Sequence, residues 1–159
     1  MSAEPWLSVP IFPLAFAALW IVISFVISRA GWHAFATRYP APSRPAGRAY
    51  GSPNSWFGRH VPASYNNVVR VIFTDAGIYF YTLFLFRAFH RPFLLPWDSV
   101  QKIEKKEIFF KLFRSYHLEI EDPAGKIRVR LPLKVEADLF RHLPKPDTDD
   151  STGSTPTLG

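Results

Sequence analysis

Cysteine is absent from the 159-residue chain, which removes disulfides, thiolate metal sites and cysteine nucleophiles in one step. Acid is absent from most of the first half. Between Pro5 and Thr74 there are six Lys/Arg and no Asp or Glu, whereas 13 of the 19 bases and 12 of the 13 acids lie from Asp75 onward. The net charge of +6 therefore belongs almost entirely to the first half, and its position matters more than its size. Catalytic signatures are missing as well: there is no G-x-S-x-G, P-loop or G-x-G-x-x-G. The five histidines (His33, His60, His90, His117, His142) form no i, i+4 pair and have no acid at ligand spacing, so no metal and no cofactor are expected. Asp75 and Asp98 read as turn residues. The expectation is a non-catalytic protein.

What the chain does have is one long run without charge. Residues Val9 to Ser28, "VPIFPLAFAALWIVISFVIS", are long enough as a helix to cross a bilayer core of about 30 Å. Pro10 and Pro13 stand near its start, where proline costs a helix little. A cleaved signal peptide would carry a basic region ahead of the run, but the residues before it hold Glu4 and no Lys or Arg. A buried helix of a soluble domain would show a polar face. The run therefore reads as an anchor, continuing into "RAGWHAF" with Trp32 and Phe35 at headgroup depth as interfacial aromatics. Arg29, Arg38, Arg44 and Arg48 follow it closely, so the positive-inside rule puts the N-terminus outside and the rest in the cytoplasm of a bacterial-type inner membrane.

The sequence divides accordingly into a short tail (1–8), the membrane helix and its extension (9–37), a spacer (38–65), a folded domain (66–143) and a disordered tail (144–159). The spacer is rich in Pro, Gly, Ser, Ala and Arg. Pro40, Pro42, Pro45, Pro53 and Pro62 exclude a continuous helix or a central strand. Its arginines lie where an anionic leaflet would attract each by roughly 1 kcal/mol.

From Asn66 the pattern turns to strands. "VVRVIF" and "IYFYTLFLFR" flank "TDAG", a hairpin with Gly77 at the turn. "HLEIE" and "KIRVRLPLKV" flank "DPAG". In the latter strand Ile127, Val129, Leu131 and Leu133 share one face, while Lys126, Arg128, Arg130 and Lys134 share the other. Pro92 and Pro96 restrict the intervening segment to a short or edge piece. A strand with Val100 and Ile103 inward follows, and Val135, Leu139 and Leu143 mark a closing helix.

The nine-residue run "IYFYTLFLF" is too short to span a bilayer and meets Arg87, His90 and Arg91 at its end. As a strand it puts Ile78, Phe80, Thr82, Phe84 and Phe86 inward and leaves Tyr79, Tyr81, Leu83 and Leu85 outward, an apolar face that something must cover.

The "T-D-x-G-I-Y" turn, followed by "L-P-W-x-S-V", another hairpin and a final helix, resembles bacterial pleckstrin-homology-like or GRAM-like domains over roughly Val68 to Leu143. The resemblance implies a small, strongly bent antiparallel sheet or barrel capped by one helix, used for lipid or protein binding. The acidic "FTDAG" stands where phosphoinositide-binding members are basic, so no phosphoinositide site is carried over.

The expected architecture is thus mainly β (α+β), behind a membrane helix. The expected function is a membrane-tethered interaction module that docks or regulates another protein, with Tyr79, Tyr81, Leu83 and Leu85 as its partner surface. The alternative is binding of anionic lipid headgroups through Arg38, Arg44, Arg48, Arg128, Arg130 and Lys134. Nucleic acid is not an expected partner: bases and aromatics mix in "KKEIFFKLFRSY", but Glu104, Glu107, Glu119, Glu121 and Asp122 are interleaved with the domain's bases.

Overall fold

The computed structural model describes residues 11–41, 43–58, 63–108 and 113–144; the N-terminal and C-terminal tails expected from the sequence lie outside these. A helix runs from Ile11 to Arg38 and is long and apolar enough to cross a membrane. It consists of α1 (Ile11–Ile27), a five-residue π-turn (Ser28–Trp32) and α2 (His33–Arg38). Most of α1 is exposed, apart from one stripe on which Ser24 is buried and Trp20 and Ile27 are half-buried.

Nine strands follow among the described residues: β1 (Ala49–Gly51), β2 (Asn54–Gly58), β3 (Ala63–Asn66), β4 (Val69–Thr74), β5 (Gly77–Thr82), β6 (Phe93–Leu95), β7 (Val100–Ile108), β8 (Phe113–Asp122) and β9 (Gly125–Pro132). They form two antiparallel sheets, one in the order β1-β4-β5-β6 and one in the order β3-β2-β9-β8-β7. The short helix α3 (Glu136–Leu139) closes the chain. The α+β class agrees with the sequence reading, although α3 is shorter than the expected closing helix.

Segment 38–65 is not a spacer. It supplies β1, β2 and β3, and β2 lies inside the five-stranded sheet, paired to β3 on one side and β9 on the other. Pro45 precedes β1 and Pro53 separates β1 from β2. Both obey the rule against central strand positions, but the residues between and after them are free to pair. The folded domain therefore begins well before Asn66.

Trp32 and Phe35 are not interfacial. Both are fully buried in one core cluster with side chains of both sheets. The Trp32 ring lies 4.8 Å from Phe57, 5.0 Å from Phe93, 5.5 Å from His90 and 5.8 Å from Tyr65, centroid to centroid. Its indole N–H donates to the Arg91 carbonyl at 2.8 Å. Phe35 stacks on Phe93 at 5.8 Å. Burying two large aromatics supplies several kcal/mol of apolar transfer, which favours insertion of the helix end into the domain. Gly31 permits the approach: a Cβ there would stand 2.3 Å from the Phe57 carbonyl oxygen, so only glycine lets helix and β2 meet backbone to backbone.

The two hairpins form as their turn chemistry dictates. Thr74 pairs with Gly77 across Asp75 and Ala76, and Asp122 pairs with Gly125 across Pro123 and Ala124. In the second turn the Ala124 N–H donates to Asp122 Oδ1 at 2.8 Å. Ile127, Val129 and Leu131 are buried, as their alternation requires, while Leu133 falls beyond the strand in a 3-10 turn. The two motif pieces quoted above also meet, since the Trp97 indole N–H donates to the Thr74 carbonyl at 2.9 Å.

Strand β5 stops at Thr82. Ile78, Phe80 and Thr82 are buried as expected, but Leu83 turns the chain into a 3-10 turn, Phe84–Phe86. Phe84 is consequently 82% exposed rather than inward. The expected outward face divides in the same way. Tyr79 is buried, Tyr81 is half-buried, and Leu83 and Leu85 remain exposed.

Candidate functional site

The six residues expected to bind anionic lipid do not converge. Arg38 sits 3.2 Å from Asp122 Oδ1 and stacks over Tyr39, whose hydroxyl donates to the other Asp122 oxygen at 2.5 Å. Arg44 lies over the Tyr81 ring at 4.9 Å, covering part of the face left open by the strand pattern. Arg48 lies over Tyr50, whose hydroxyl donates to Asp138 Oδ2 at 2.5 Å. Burial and then Asp138 hold the Tyr50 hydroxyl above its ordinary pKa. Lys134 stands in the 3-10 turn after β9. Only Arg128 and Arg130 are brought together, on the outer face of β9.

That outer face is the broad polar surface of the five-stranded sheet. Ion pairs offset much of its charge: across β8 and β9 Arg128 meets Glu119 at 3.1 Å and Lys126 meets Glu121 at 3.1 Å, and along β7 Glu104 holds both Lys102 at 2.5 Å and Lys106 at 3.3 Å. Antiparallel register sets Arg128 opposite Glu119 and Lys126 opposite Glu121. Arg130 Nε donates instead to Ser115 Oγ at 3.1 Å. His117 lies 3.2 Å from the same hydroxyl, and burial, aided by Lys106 and Arg130, pushes its pKa down towards the neutral form.

Trp56 stands among these charges, opposite Arg128 on β9 and 43% exposed. Its indole N–H donates to Asn54 Oδ1 at 2.6 Å, and Asn54 Nδ2 donates to Asn66 Oδ1 at 2.7 Å. The ring is thus fixed before anything binds. A groove of about 410 Å³ runs beside it, lined by Lys106, His117, Glu119, Arg128 and Arg130. No residue pattern marks Trp56 in advance, because it lies in a segment whose prolines read as a spacer. Its one signal was an aromatic pair, "WF", of which Phe57 is buried and Trp56 is not.

A separate apolar surface forms where the β5–β6 connection runs along the helix. The Trp20 ring lies 5.1 Å from Phe86, and its indole N–H reaches the Leu85 carbonyl at 3.4 Å. Phe25 meets Phe89 edge-on at 5.5 Å. Trp20, Ser24 and Ser28, four residues apart, share one stripe of the helix, and both serines are buried. Small residues there let the loop lie close. At its base His90 is buried, with Nδ1 2.9 Å from the Phe86 carbonyl and Nε2 3.0 Å from the Tyr65 hydroxyl. That hydroxyl also lies 3.3 Å from the Ile27 carbonyl, at the edge of the π-turn.

No group of three or more His, Asp or Glu among the described residues could hold a metal ion. Comparisons with protein-family models, with curated proteins and with solved structures each returned no match.

Proposed function

We propose that the protein is a membrane-anchored, non-catalytic interaction module, with its N-terminus outside a bacterial-type cell membrane and its β domain on the cytoplasmic side. The domain is read as pleckstrin-homology-like or GRAM-like, a reading supported by the contact between its two motif pieces, Thr74 and Trp97. The ligand is a second protein that carries both signs of charge, seated on the outer face of the five-stranded sheet. The observation that carries this reading is Trp56, a large aromatic held by hydrogen bonds in an exposed position beside Arg128. Trp and Arg are the residues that dominate the centres of protein interfaces. A ladder of mixed charge, five bases (Lys102, Lys106, Lys126, Arg128 and Arg130) against Glu104, Glu119 and Glu121, favours a protein over an anionic surface, because the three carboxylates offset much of the attraction for phosphate.

The test is a photo-crosslinking residue introduced at Ser64, which pairs opposite Trp56 on the edge strand β3, in cells expressing the full chain. The expected result is a single adduct of defined mass that disappears in the Arg128→Glu variant. An adduct pattern unchanged by Trp56→Ala together with Arg128→Glu, or no adduct at all, overturns the reading.

A further inference from the structure

We propose that the β5–β6 loop, Leu83–Arg91, is a second membrane-seating element whose occupant is the bilayer itself: its tip enters the acyl region beside α1, and the groove behind it takes the phosphate headgroup of an anionic lipid. The proposal rests on α1 spanning the bilayer. The first support is position. Trp20, which touches Leu85 and Phe86, precedes Arg29 by nine residues, or about 13 Å along a helix. If the first charge after the apolar run marks the hydrocarbon boundary, the loop tip reaches well into the adjacent leaflet, whose apolar half is about 15 Å deep.

The second support is chemistry. Leu83, Phe84 and Leu85 are 40%, 82% and 67% exposed, and they continue the apolar surface of α1. Three consecutive large apolar side chains have no reason to face water when a bilayer lies beside them. Lipid favours backbone whose polar groups are satisfied internally, and several of this loop's are. The N–H groups of Leu83, Phe86, Arg87 and Phe89 donate to the carbonyls of Val68, Leu83, Phe84 and Phe86. The carbonyls of Leu85 and Phe86 accept from Trp20 and His90.

The third support is charge. Between loop and helix lies a groove of about 480 Å³ lined by Phe25, Arg29, His33, Phe89 and Arg91 among others. Its apolar end adjoins the buried stripe of α1 and its basic end lies at the depth where headgroups sit. No acid lines it among the described residues. Two guanidinium groups flanking an apolar slot match a phosphodiester with its acyl chain.

The absence of cysteine makes the test direct. Single Val22→Cys, Leu85→Cys and Lys126→Cys variants of the full chain, each at an exposed position, are labelled with an environment-sensitive fluorophore. They are reconstituted in nanodiscs of phosphatidylcholine and phosphatidylglycerol. Nitroxides on the acyl chains are expected to quench the labels at positions 22 and 85, and aqueous iodide the label at 126. Quenching at 22 by nitroxide but at 85 by iodide overturns the seat and leaves the spanning helix intact. Iodide quenching at 22 overturns the spanning helix, and the seat with it. For the groove, spin-labelled phosphatidylglycerol is expected to associate several-fold better than spin-labelled phosphatidylcholine, with the preference lost in Arg29→Gln/Arg91→Gln. Equal association with the unaltered chain, or a preference that survives both substitutions, overturns the headgroup site.

Discussion

His90 shows how one buried polar group can govern a junction. Neutral histidine here carries its proton on Nδ1, where it donates to the Phe86 carbonyl, so Nε2 accepts from the Tyr65 hydroxyl. Tyr65 has one hydrogen and two acceptors within reach, His90 at 3.0 Å and Ile27 at 3.3 Å; the nearer one receives it. Burial pushes the Tyr65 hydroxyl pKa up, so it remains a donor at any ordinary pH. Burial lowers the His90 pKa, and the Phe86 carbonyl only partly opposes this. The folded pKa lies below the unfolded value of about 6.5, so the neutral form stabilises the fold fully above that pH. Stability falls as pH drops below about 6.5, because the unfolded chain then takes up a proton that the folded chain resists. In His90→Phe an aromatic ring is kept, Tyr65 turns to Ile27, and the Phe86 carbonyl loses its shorter bond and keeps only the one from the Phe89 N–H at 3.4 Å. This variant is expected to lose about 1–3 kcal/mol and to show a flatter acid limb in denaturation midpoints measured in micelles. His117, also held below its ordinary pKa by burial, keeps the remaining slope.

At the scale of elements, the plug formed by the π-turn and α2 is part of the β domain rather than a stalk beneath it. Trp32→Ala removes the ring that touches Phe57, Tyr65, His90 and Phe93, and it is expected to cost about 3–5 kcal/mol. A surface aromatic at the same place would cost far less. A fragment of residues 59–144 lacks this plug together with β1 and β2, and is expected to give collapsed amide dispersion by NMR. A fragment of residues 28–144 contains both and is expected to fold. A folded 59–144 fragment would show that the plug is dispensable. What could be read from the residues follows the same division. Hairpins announce themselves because Gly77, Gly125, Asp75 and Pro123 act within four residues of chain. Strand β2 does not, because "NSWFG" owes its place to Ser55 and Phe57 lying against β9 partners far along the chain. Trp32 and Phe35 carried no mark distinguishing a core aromatic from an interfacial one, since both follow a charge-free run. Leu83 and Leu85 were legible as exposed, whereas the turn that also exposes Phe84 depends on where β5 ends.

For the molecule as a whole, burying the helix end fixes the pose of the domain. The helix is continuous to Arg38, and Trp32, Phe35 and Ala36 near its end are buried in the core that both sheets share. A rigid pose makes topology measurable from a single site. With Lys126→Cys in the otherwise cysteine-free chain, a membrane-impermeant maleimide is expected to label inverted vesicles and not intact cells. Labelling of intact cells would place the domain outside and would reverse the role given to the arginines after the span. The π-turn adds a further consequence, which concerns angle rather than depth. Each residue advances a helix by about 100° about its axis, so the wider turn at Ser28–Trp32 sets the azimuth of everything before it relative to the domain. Losing one residue there would leave the anchor as long and as greasy as before, yet would swing Trp20 and Ser24 a quarter-turn away from the loop they now face. In this chain the rotational setting of the long apolar helix is written in a single turn of backbone.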